Sequence, residues 1–171
     1  QSVHQLAGHD SPGAVEAVSQ CPFIRREWPR VFDAAARAEA LANRDPRVSC
    51  FYARRGLELA VARAFKHDAA LKLPYQENIS ALIHEPSFKN AAGEAIFSKA
   101  RRTGTLGNRA VHSDRDIPKD DALVAVRELF HVAYWLAHTY GRVDRPAPGL
   151  TFDPAVLPTP APSPKQTATQ L

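Results

Sequence analysis

The chain has 171 residues, 44% of them hydrophobic, and carries a formal net charge of +4 with an isoelectric point near 9.3. That length is enough for one domain of ordinary size with an apolar core. No run of about 18 apolar residues occurs, so no membrane span is expected, and the first residues lack the basic-then-apolar order of a secretion signal.

The charge is mostly arginine and leans toward nucleic acid or an acidic partner. Basic residues are not interleaved with aromatics as single-strand binders require. Cys21 and Cys50 give neither metal-ligand spacing nor a disulfide framework, which reads as a reduced, cytoplasmic protein. The chain starts at Gln1 and has no methionine, so we expect a piece or trimmed product of a longer protein.

Residues 1–22 hold Ser, Gly, Gln and His without a sustained period and read as a flexible, disordered arm. His4 and His9 lie there without a Cys partner pattern, so no metal site is expected. Over 23–42 the period becomes helical. Ile24, Trp28, Val31, Phe32, Ala35, Ala38 and Leu41 share one face, and Pro29 moves the start of the regular helix to near Trp28. Asp45 before Pro46 is an N-cap followed by a first-turn proline, which opens a second, strongly basic helix over 46–67. Its Arg47, Arg54, Arg55 and Arg63 are candidate contacts for DNA or a partner. Gly56 marks a close crossing with another helix.

A short helix is expected over 78–83, ended by Glu85-Pro86. A fourth follows over 91–106, with Ala92, Ala95, Ile96 and Ala100 inward and the further candidate contacts Arg101 and Arg102 near its end. Gly104 and Gly107 are expected to interrupt it. Then comes Leu106-Gly107-Asn108-Arg109-Ala110-Val111-His112. Gly107 permits close backbone approach. Asn108 and His112, four apart, share a face if the stretch is helical. One reading makes Asn108, Arg109 and His112 a polar site for a phosphate or acidic partner. The stronger one is structural, with Asn108 capping a turn and His112 making one hydrogen bond beneath the next loop.

The last helix, over 120–140, carries the widest apolar stripe. Leu123, Val126, Phe130, Ala133 and Ala137 form one face, and Leu129, Val132 and Leu136 widen it. That width indicates a helix touched from two sides near the centre of a bundle. Pro118 suits its first turn, Asp120 and Asp121 oppose the helix dipole, and Gly141 is expected to end it in the left-handed conformation. From 142 to 171 the prolines dominate, which reads as a semi-rigid linker. Phe152, Val156 and Leu157 are its candidates for docking back. The fold expected is all-α: a single bundle of about five helices over 23–141.

Phe23-Ile24, Glu27-Trp28-Pro29, Asp45-Pro46-Arg47, Leu73-Pro74-Tyr75, the Gly107-Asn108-Arg109-Ala110-Val111-His112 run and the Phe152-Asp153-Pro154 exit resemble the N-terminal α-helical domain of type I restriction endonuclease R subunits. The resemblance spans about 23–154. It implies an accessory domain ahead of a nuclease and a motor that use ATP and Mg²⁺ to translocate and cut duplex DNA. Modification and specificity subunits would be its partners. The chain itself has no Gly-x-x-x-x-Gly-Lys-Ser/Thr phosphate loop and no acidic pair with a lysine to hold Mg²⁺, so no catalytic residue and no cofactor are assigned to it.

The bundle is also distantly similar to HEPN-like domains, some of which are metal-independent ribonucleases, acting in some cases across a homodimer. Their motif leaves four to six residues between an arginine and a histidine. Here Arg109 is too near His112 and Arg102 too far, a departure that sets the ribonuclease reading below that of a non-catalytic interaction module. A purely structural cap is the third reading.

Overall fold

Helix α1 starts at a proline. Pro29 occupies its first position, needing no amide donor there, and the helix runs Pro29–Leu41. The computed structural model describes residues 17–162. Among them are α2 (Pro46–His67), α3 (Ile79–His84), α4 (Pro86–His112) and α5 (Lys119–Tyr140), with short 3₁₀ turns at Pro22–Ile24 and Pro154–Val156 and no strand. The fold is an all-α bundle. No helix among the described residues is long and apolar enough to cross a membrane.

Helix α2 is the hub, packing on α1, α4 and α5. Its start follows the expected chemistry, since the Asp45 carboxylate accepts from Val48 N at 3.3 Å. Helix α5 is buried on a broad face, including Val126, Leu129, Phe130, Val132, Ala133, Leu136 and Ala137, because α1, α2 and α4 all touch it. Gly56 sits at the α2–α5 crossing, where a β-carbon would lie 2.9 Å from Leu129 Cδ2.

Helix α4 departs from the expectation at three points. It begins at Pro86 rather than near Ala91: Glu85-Pro86 ends α3 as expected, and Glu85 also caps the new helix by accepting from Ser87 N at 2.6 Å. Phe88, in its first turn, is therefore core, stacked on Phe65 at 6.0 Å and edge-on to Trp135 at 5.6 Å. The interruption lies at Gly93, whose φ of 83° only glycine adopts freely. Gly104 and Gly107 stay helical, so the whole Leu106-to-His112 run forms the last turns of α4. Gly141 also differs: it ends α5 with extended backbone, φ −65° and ψ 132°. What glycine supplies there is space, since a β-carbon would fall 2.2 Å from Ala137 O.

The expected arm and linker are each partly in the bundle. Residues 17–22 lie against α1, where Gln20 N donates to buried Glu39 at 2.8 Å and Ser19 Oγ donates to the same carboxylate. Cys21 is buried. Residues 142–158 fold back as well. Glu27 accepts from Arg142 N and Val143 N at 2.8 and 3.0 Å, Phe152 packs on Phe130 at 5.8 Å, and Leu157 is buried. The Gln20 side chain donates to Asp153 O at 2.7 Å and accepts from Asp153 N at 2.8 Å, so the two end segments clasp each other. Prolines fix φ but leave their carbonyls free to accept, as Pro158 O does from Asn43 at 3.1 Å. The remainder of the expected arm, with His4 and His9, and the rest of the expected linker lie outside the described residues.

Candidate nucleic-acid interface

The basic residues divide among distinct places. Arg47 and Arg54 are committed to the structure. A helix leaves its last carbonyls without partners and carries partial negative charge at that end. Arg47 supplies what is missing at the C-terminus of α4, donating to Ala110 O, to Ser113 O at 2.8 Å and to Arg115 O at 2.5 Å. It therefore clamps α4 to α2, and its guanidinium is engaged within the fold. Arg47→Ala is expected to cost about 1–2 kcal/mol by leaving carbonyls unpartnered. Arg47→Lys should not restore it, because a lysine lacks the planar fork. Urea unfolding measures both, and a loss under about 0.5 kcal/mol, the range of plain surface changes, would refute the clamp.

Arg54 is held next to it. Its Nε donates to Glu58 at 2.9 Å and its Nη1 to the Asn108 side chain. Asn108 thus fastens α4 to α2 instead of capping a turn. Gly107 makes the approach possible, since a β-carbon there would lie 2.4 Å from Arg54 Cβ. His112 is exposed and makes no side-chain hydrogen bond among the described residues, contrary to the expected bond beneath the loop. Arg109 pairs with Asp121 of α5 at 3.4 Å. The motif's residues accordingly serve separate partners and form no single polar site.

Six other arginines line two open grooves. Arg55, paired with Glu58 at 3.7 Å, shares a cleft of about 220 Å³ between α1 and α2 with Arg30, Arg37 and Tyr52. Arg101, Arg102 and Arg109 share a larger one, about 350 Å³, along α4 with Ser98, Thr105 and Leu106. Arg63 lines neither.

Beside the α4 groove is a cluster that sequence reasoning misses. Glu128 of α5 is 2% exposed. Its Oε1 accepts from Arg102 Nη1 and Arg127 Nη2, both at 3.1 Å, and its Oε2 lies 3.4 Å from Lys99 Nζ and from His131 Nδ1. Lys99 Nζ also stands 2.9 Å from that histidine nitrogen. Burial pushes the Glu128 carboxyl up, but the Arg127 bond and the Lys99 and Arg127 charges outweigh it and hold the group below the usual carboxylate range. A signal is present in the sequence all the same. Glu128 falls four after Val124 and four before Val132, a charge set within an apolar stripe.

No protein-family model, curated protein or solved structure matches this chain. The restriction-subunit resemblance therefore rests on its sequence motifs alone, and the HEPN-like one on helical-bundle likeness without the motif spacing.

Proposed function

We propose that this chain is a non-catalytic binding module that lays the α4 arginine face against the phosphate backbone of duplex DNA. In the reading favoured by its motifs it serves a longer restriction R subunit, whose ATP- and Mg²⁺-dependent parts and partner subunits lie elsewhere. The observation that carries the DNA contact is the groove holding Arg101, Arg102 and Arg109 with the hydroxyl residues Ser98 and Thr105. Arg102 and Arg109 are seven residues apart, about 10 Å along a helix, which matches the rise of about three phosphates on one strand. Arginine forks suit phosphate oxygens, and Ser and Thr hydroxyls make the same kind of contact.

The test is binding of the full chain to a labelled duplex across a salt series. The affinity is expected to fall steeply with salt, and Arg101→Gln with Arg102→Gln and Arg109→Gln should flatten that slope by about 0.9 for each phosphate no longer neutralised. Unchanged binding in the triple variant would move the interface elsewhere, with the α1–α2 cleft next in line. Failure of the wild-type chain to bind would favour a subunit-docking module or structural cap. RNA cleavage that disappears in His112→Ala would instead select the ribonuclease.

A further inference from the structure

We infer that Glu128 is a positioning residue: its buried carboxylate gathers the guanidinium groups of Arg102 and Arg127 onto one oxygen, so that the pair grips a single backbone phosphate of duplex DNA. The inference rests on the DNA reading above and names the point of contact within it.

Three features point to a clamp rather than a plain crosslink between α4 and α5. The first is charge. Lys99, Arg102 and Arg127 are three basic side chains around one carboxylate, more than neutrality requires. The second is convergence. Both guanidinium groups donate to the same Oε1 at 3.1 Å, so two like charges are held as neighbours. Like charges at short range repel, and an anion placed between them relieves that repulsion. Arg127 is next to Glu128 in sequence, and adjacent positions on a helix do not ordinarily face each other. Its side chain turns back to reach the carboxylate.

The third feature is exposure. The Glu128 side chain is 3% exposed, while those of Arg102 and Arg127 are 55% and 46% exposed. The anchor is inside and the donors are outside. A guanidinium has five N–H donors, and one from each arginine goes to Glu128. Arg102 also lines the α4 groove, which makes the clamp continuous with the proposed DNA track.

The sign of one substitution separates this from bulk electrostatics. Glu128→Gln removes a negative charge and keeps the side chain's size. Simple attraction to DNA then predicts tighter binding. A positioning role predicts weaker binding, by about tenfold, the value of roughly one charge-assisted contact, together with a shallower salt slope.

Helical content and thermal midpoint are recorded in parallel. If Glu128→Gln unfolds, the half-exposed arginines answer instead. Arg102→Gln, Arg127→Gln and the double variant should be non-additive, each single costing nearly as much as both, because one phosphate needs both donors. Wild-type binding combined with a Glu128→Gln chain that binds equally or more tightly overturns the inference alone, as does strict additivity of the two arginines. Absence of wild-type binding overturns the DNA reading and this inference with it.

Discussion

Phe130→Ala is expected to destabilise the chain by about 3–5 kcal/mol, the range for deleting a buried aromatic. Phe130 is 3% exposed and sits on the broad apolar face of α5. Its ring meets Phe23 edge-on at 6.1 Å and Phe152 at 5.8 Å. Phe152 belongs to the C-terminal segment that folds onto the bundle, and Phe23 directly follows the N-terminal one. The substitution therefore opens a cavity in the core and unseats both segments. The midpoint of urea unfolding at constant slope measures the loss. A cost under about 1 kcal/mol would mean that Phe130 is not where the core closes.

Gly107→Ala is the second large effect. At an unstrained helical position, alanine is ordinarily better than glycine by about 1 kcal/mol. Here the added β-carbon would fall 2.4 Å from Arg54 Cβ and 2.8 Å from Arg54 Cδ. Arg54 Cβ is fixed to the α2 backbone, so no rotation relieves the clash and the helices must separate. Overpacking of this kind costs about 1–3 kcal/mol, and the Arg54 bond to Asn108 loosens with it. Gly56→Ala is the matched control. Its new atom would meet Leu129 Cδ2 at 2.9 Å, a methyl at the end of a side chain that can turn. Gly107→Ala should therefore be worse than Gly56→Ala by at least about 1 kcal/mol. Equal costs would show that α2 and α4 are not locked at this crossing.

The amphipathic helices are legible in the sequence because their signals are local. In α1, Trp28, Val31, Phe32, Ala35 and Ala38 repeat at helical spacing, and all of them are buried. Asp45 and Pro46 announce the start of α2 by chemistry that needs no neighbour. Glu85 and Pro86 are legible as the end of α3 but not as the start of α4, because that start depends on Phe88 being buried between Phe65 and Trp135. Close approach at Gly107 is readable from the missing side chain, but its partner is not: Arg54 lies far away in sequence. The same holds for Arg47. As a sequence feature it is one basic residue among several, and its role depends on where the α4 carbonyls come to rest.

The candidate interface is legible only in part. Arg101 and Arg102 stand out near a helix end, and Arg109 stands out as a fixed charge. Their sharing of one groove requires the tertiary fold. Glu128 escapes notice because acidic residues count against nucleic-acid binding when residues are tallied by charge. In the fold a carboxylate can organise cations as well as cancel them.

The clasp between Gln20 and Asp153 brings the first and last described segments to the same edge of α1. A load that pulls the two ends apart therefore reaches the clasp before the helices. Two hydrogen bonds and the seats of Phe152 and Leu157 give way, while α2, α4 and α5 keep their packing. The clasp is thus the part of the fold that tension at its ends would load first.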